Sequence, residues 1–183
     1  MIQLTQLYKT GKNVFTIDEI GQITQTRNRE SLHNSLRYLA RVGKIHRIRR
    51  GIYSLDKEYS ELELAQRLVI PSYVSLYTAL GIHGINFQYH RDITSIALYN
   101  KTMNVDDRTY KYHRIKPEIF YLPDGIEKRE YYNMASPERA VVDTLYFFPE
   151  HYFDNIAAFN HKKAIIIAEK FKLDYLVQRI EML

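Results

Sequence analysis

Residues 29–55 carry the pattern that most restricts the fold. Leu32, Leu36 and Leu39 recur at i, i+4 and i+7, one face of a helix predicted over roughly Arg29 to Val42. Gly43 stands where a left-handed C-terminal cap belongs. The period then changes. Ile52 to Leu55 is β-prone and Arg50-Gly51 reads as a turn, so a hairpin follows directly. Ile45, Ile48, Ile52 and Tyr53 would pack it back onto the helices, although Ile45 and Ile48 break strict alternation.

Two shorter helices are expected upstream. Ile2, Leu4 and Leu7, with Tyr8, form the apolar stripe of the first, which Gly11-Lys12-Asn13 breaks. Thr16 followed by Glu19 is a capping-box pair that starts the second, and Ile17, Ile20 and Ile23 supply its buried face. Thr24 to Asn28 reads as a turn. Three helices and a basic hairpin, in that order, are the plan of a winged helix-turn-helix, assigned to residues 1–57.

Residues 58–70 read as a connecting helix, with Leu62, Ala65, Leu68 and Val69 facing inward, and Pro71 marks a boundary. Residues 71–183 read as a mixed α/β domain. A short extended entry leads to a helix at Val74–Ile82, and Ile93 to Tyr99 is a strand. Tyr110 to Leu122 is expected as two short strands separated by Pro117, and Glu127 to Asn133 as another strand. Ser136-Pro137-Glu138 starts a helix that runs to about Phe148, and His161–Phe171 and Asp174–Met182 are two more. The expected fold class is α+β.

Composition removes several kinds of chemistry. The 183 residues include no cysteine, which excludes a disulfide framework, a zinc ribbon and thiol catalysis. No apolar run approaches the roughly 18–20 residues that span a bilayer. MIQLTQLYKTGK lacks the apolar core of a signal peptide, so no membrane association and a cytoplasmic location are expected. Ser75 is not in a Gly-x-Ser-x-Gly elbow and reads as a helix cap. His83, His90 and His113 have no partner at metal spacing, and Asp106-Asp107 fits a polar turn between strands. Neither Glu127-Lys128 nor Glu169-Lys170 has the acid-x-Lys spacing of metal-dependent nucleases, and Gly81-Ile82-His83-Gly84 is too short for a phosphate loop. No catalytic residue, metal or cofactor is expected, and the chain is read as a non-enzyme. Arg139 and Asp143, at i and i+4, make either a surface pair or a buried tie. Tyr110, Tyr112, Tyr121, Tyr131 and Tyr132 read as half-buried sheet residues, with a nucleic-acid-facing sheet as the alternative.

Charge points to an anionic partner. Residues 1–57 hold 11 Lys and Arg against 4 Asp and Glu, while the remainder holds 15 against 17. Winding the third helix at about 100° per residue puts Glu30, His33, Asn34, Arg37 and Arg41 opposite Leu32, with Arg29 near the border. Arg pairs bidentately with guanine and Asn with adenine. In helix-turn-helix modules the N-terminal part of this helix reaches the bases, which selects Arg29, His33, Asn34 and Arg37. Arg41 falls near the end and fits a phosphate. Lys44, Arg47, Arg49 and Arg50 add four cations within seven residues, and the last two at the turn suit a phosphate backbone or a minor groove. The expected partner is double-stranded DNA.

VFTIDEIGQIT and RESLHNSLRYLARVGKIHRIRRGIYSL resemble the winged-helix N-terminal domain of AbiEi-type antitoxins. PSYVSLYTALGIHGI and ASPERAVVDTLYF resemble two later segments of that family, so the likeness covers nearly the whole chain. The resemblance implies an antitoxin of a type IV toxin–antitoxin system that represses its own operon at an inverted repeat. It implies a nucleotidyltransferase-like toxin as functional partner, countered without a stable complex. It places operator recognition in the winged helix and most antitoxin activity in the C-terminal domain, which is shorter here than in longer members. The alternatives are a stand-alone winged-helix regulator, a winged-helix-targeted nuclease, which the absent acid-x-Lys pattern opposes, and a protein–protein module. The Arg47, Arg49 and Arg50 cluster opposes the last, since charge-rich surfaces make poor interface cores.

Overall fold

The computed structural model describes residues 2–183, and the chain divides into two compact units, Met1–Leu68 and Val69–Leu183. Helices and sheets both build it, one sheet antiparallel and the other mixed, which places it in the α+β class. Among the described residues, no helix is long and apolar enough to cross a membrane.

The first unit runs α1 (Leu4–Tyr8), β1 (Val14–Thr16), α2 (Ile17–Ile23), α3 (Arg29–Arg41), β2 (His46–Arg49), β3 (Ile52–Ser54) and α4 (Glu61–Leu68). Its strands form an antiparallel sheet in the order β1-β3-β2. Local chemistry sets the boundaries. Glu19 N–H donates to Thr16 Oγ1 at 3.2 Å and Thr16 N–H to Glu19 Oε2 at 2.9 Å, the reciprocal box that opens α2. Asn28 Oδ1 accepts from Ser31 N–H at 2.9 Å and opens α3. At the other end of α3, Lys44 N–H reaches Leu39 O at 2.9 Å and Gly43 N–H reaches Ala40 O at 3.2 Å. This is a Schellman closure, and Gly43 supplies the left-handed residue it needs, with φ +68°. Leu7, Phe15, Ile20, Leu32, Leu36 and Tyr53 form its buried core.

Two features of this unit depart from the sequence expectation. Strand β1 was not anticipated, because three residues are too few to show a period. It exists through pairing, with Val14 opposite Ser54 and Thr16 opposite Ile52. The connecting helix is α4, and it is part of the first unit. Leu62 and Leu68 are only half-buried, whereas Glu63, Leu64 and Ala65 are buried. Glu63, 2% exposed, accepts from Val14 N–H at 3.0 Å and Asn13 N–H at 3.4 Å. It thereby satisfies amides at the entry to β1. Burial pushes its carboxyl above the ordinary value, against these two amides and the nearby Arg67 and Lys12. Arg67 Nε lies 3.0 Å from Glu19 Oε2, close enough for attraction but without hydrogen-bond geometry.

The second unit runs β4 (Ser72–Val74), α5 (Leu76–Ile82), β5 (Ile93–Ala97), β6 (Lys101–Val105), β7 (Arg108–Arg114), α6 (Pro117–Phe120), β8 (Ile126–Lys128), β9 (Asn133–Ala135), α7 (Pro137–Phe147), α8 (His161–Lys170) and α9 (Asp174–Glu181). A short 3-10 turn, Ile156–Ala158, precedes α8. The six strands form one mixed sheet in the order β6-β7-β5-β4-β9-β8. Helix α7 packs against α5, α8 and α9, and its residues Arg139 to Leu145 are all buried. Pro117 begins α6 rather than separating two strands, because a proline lacks only an N–H that the first helical turn leaves unused. Asp106 and Asp107 turn β6 into β7, as the polar pair suggested. Tyr110 and Tyr112 lie in the interior, so these two side chains do not form a nucleic-acid face.

Candidate nucleic-acid interface

Helix α3 has two chemically distinct sides. Leu32 and Leu36 are buried, while Arg29, His33, Asn34, Arg37 and Arg41 are exposed. Arg29, His33, Arg37 and Arg41 are spaced by four, so they follow one ridge of the helix surface. Asn34 lies beside that ridge.

The Schellman closure fixes how the chain leaves this ridge. Lys44 has its own N–H in the closure and its side chain exposed. Strand β2 then begins at His46. Arg47 and Arg49 are exposed and Ile48 between them is turned partly inward. The pairing with β3 shifts there: Arg47 stands opposite Tyr53 and Arg49 opposite Ile52. Ile45 precedes the strand, and from His46 to Arg49 partly buried and exposed residues alternate, so the alternation breaks at the strand entry. Arg50 is exposed in the turn, and Gly51 takes φ +80° so that the hairpin closes. All nine candidate side chains are therefore exposed, five along α3 and four from its cap to the hairpin turn.

Two neighbours of this surface were not anticipated. Asp18 Oδ1 lies 3.3 Å from Arg29 Nη2, with both side chains 73% exposed. Such a pair contributes at most about 1 kcal/mol and leaves Arg29 free to reorient. The Arg41 guanidinium lies 5.5 Å from the centre of the Tyr38 ring, a cation–π contact at the helix C-terminus. Asp18 had only its capping-turn position to mark it in the sequence, and Tyr38 nothing at all.

The second unit holds one buried polar cluster. Arg139 and Asp143 are both 0% exposed and form an ion pair of 2.9 Å through Nε and Oδ1. Arg139 Nη1 donates to the carbonyls of Leu122 and Asp124, and Nη2 to Ile119 O and the Tyr73 hydroxyl. Tyr73 OH and Ser75 Oγ donate to Asp143 Oδ2 at 3.0 and 2.8 Å. All five guanidinium N–H groups are thus used, which makes a buried charge tolerable. Burial and the Asp143 charge push the Tyr73 hydroxyl well above its ordinary value. Burial works against the Arg139 charge, but Asp143 and Tyr73 outweigh it and raise its pKa. Ser75 occupies the N-cap position of α5, yet its hydroxyl caps nothing because Asp143 holds it. Thr94 of β5 replaces it, accepting from Thr78 N–H at 3.0 Å.

The two later segments that carry the sequence resemblance meet in this cluster, since Tyr73 and Ser75 belong to one and Arg139 and Asp143 to the other. Their chemistry is that of an internal tie. Among the described residues, no group of three His, Cys, Asp or Glu is arranged to hold a metal ion. No protein-family model matches the chain, and a search of curated proteins gives no match.

Proposed function

We propose that the chain is a DNA-binding transcriptional autorepressor whose first unit is a winged helix-turn-helix, and that it serves as the antitoxin of a type IV toxin–antitoxin system. The carrying observation for DNA binding is the ridge of Arg29, His33, Arg37 and Arg41 on α3, continued by the exposed cations of the hairpin. In this reading Arg29, His33, Asn34 and Arg37 face base edges in a major groove, and Arg41, Lys44, Arg47, Arg49 and Arg50 face phosphates or the adjoining minor groove. The order β1-β3-β2 with a turn after β2 fits the role of the hairpin as a wing. Selection of duplexes from a random pool by the full chain should enrich an inverted repeat. Recovery of no preferred duplex, with retention unaffected by salt, overturns the DNA-binding reading.

The antitoxin role is supported by the resemblance, and its partner is a nucleotidyltransferase-like toxin. Co-expression with a nucleotidyltransferase-like gene adjoining this one should restore growth. Persistent growth arrest, with operator binding intact, would leave a stand-alone regulator.

A further inference from the structure

Beside the basic ridge, α1 and α3 enclose an open groove of about 750 Å³. Ile2, Leu4, Tyr38, Leu39 and Val42 are the apolar residues of its lining. Tyr38 and Val42, four residues apart on α3 and its cap, are 54% and 44% exposed. Among the described residues of its lining, Lys44 is the one charged side chain, and Arg41 stands over the Tyr38 ring. The groove is thus apolar along its floor and cationic at its rim. From Asn34 to Val42 it follows about 12 Å of helix, just over two turns.

We propose that this groove docks an acidic amphipathic helix of a protein partner, and that the docked helix and DNA exclude one another. Apolar residues at i, i+4 and i+7 of such a helix would meet Leu4, Leu39 and Val42, and its carboxylates would meet Lys44 and Arg41. A second copy of this chain fits less well. Its corresponding face carries the same cations, and like charges would meet across the two-fold axis. Exclusion follows from shared residues. Asn34 and Lys44 line the groove, and both, with Arg41, belong to the proposed DNA surface. An acidic helix seated there neutralises cations that phosphates would otherwise use. Only this exclusion rests on the DNA-binding reading. The docking does not.

The full chain is titrated into three fluorescein-labelled 14-residue peptides, followed by anisotropy in low salt. One has Leu at i, i+4, i+7 and i+11 with Glu outward. One keeps the Leu frame with Lys outward. One keeps the Glu residues with Ser for Leu. The first should bind at least tenfold more tightly than either other, and Val42→Ser should weaken it at least fivefold without moving the thermal transition. Duplex DNA should displace it. Equal binding of the first and third peptides, binding indifferent to Val42→Ser, or no binding overturns the docking. A dimer in sedimentation that Val42→Ser dissolves, without peptide binding, assigns the groove to a second copy. Peptide binding that saturating duplex leaves intact overturns the exclusion, whereas peptide binding with no DNA binding leaves the groove and removes the DNA-binding reading.

Discussion

Arg37 and Arg50 carry the same charge into different surroundings. Arg37 lies mid-helix on the exposed side of α3, and Arg50 lies in the hairpin turn beside Gly51. Arg37→Ala should remove a base-edge contact, costing about 1–3 kcal/mol on operator and relaxing preference at one position. Arg50→Ala should weaken operator and random DNA alike, with a salt slope shallower by roughly one unit. Titrating both variants on operator and scrambled duplexes across salt separates the roles. The reverse pattern would make the hairpin the sequence reader. Glu63 illustrates a charge used in the fold. Because burial raises its folded value above the ordinary 4.5, the folded state binds the proton more readily than the unfolded chain does. Its stabilising contribution is therefore full below that value and is lost as pH rises through the raised one. Glu63→Gln keeps an oxygen for Val14 N–H, turns an amide N–H2 toward Asn13 N–H and cannot titrate. Relative to this variant the parent should lose stability between about pH 4 and pH 7, as thermal unfolding across that range would read. A difference that stays constant with pH, or that grows in favour of the parent as pH rises, would show that burial does not hold the proton on Glu63.

At the scale of elements, legibility followed the range of the interactions. The starts of α2, α3 and α7 rest on side chains within three residues of the amides they cap, so Thr16 and Ser136 can be read locally, whereas Asn28 shows in the sequence only as part of a turn. The exposed ridge of α3 was equally legible, because winding the sequence separates it from Leu32 and Leu36. Strand β1 and the α1–α3 groove were not. Each depends on partners dozens of residues away, as Val14 does on Ser54 and Leu4 on Leu39. Arg139 and Asp143 were half-legible. Their spacing announced a pair, but burial came from Tyr73, Ser75 and three carbonyls outside α7. This cluster ties β4 and the α6–β8 connection to α7. Asp143→Asn leaves the Arg139 charge buried without its counterion, and should destabilise the second unit by about 3–5 kcal/mol. Ser75→Ala removes one of the three donors to that carboxylate and should cost about 1–3 kcal/mol. Denaturant unfolding of both variants ranks them, and an Asp143→Asn loss no larger than that of Ser75→Ala would show that the ion pair adds nothing beyond a neutral hydrogen bond.

For the whole molecule, the division into Met1–Leu68 and Val69–Leu183 places all of the net charge on one side. The first unit holds 12 Lys and Arg against 7 Asp and Glu, and the second holds 14 against 14. This asymmetry supports placing the proposed phosphate contacts in the first unit. The proper boundary of that unit is set by α4 rather than by the end of the hairpin. Cutting after residue 57 would remove Glu63, which satisfies the amides of Asn13 and Val14, together with the buried Leu64 and Ala65. Those amides would then lose their partner, and β1 would lose one side of its support. Residues 1–68 should accordingly fold with a cooperative thermal transition and bind operator DNA, whereas residues 1–57 should do neither. If about five phosphates are neutralised, the log–log dependence of affinity on salt should have a slope near −4 to −5 in the longer fragment and in the full chain. Equal slopes would place every phosphate contact within the first unit. A full-chain slope steeper by two or more would assign further contacts to the second unit, and a cooperative, DNA-binding 1–57 fragment would show that α4 is dispensable to the fold it joins.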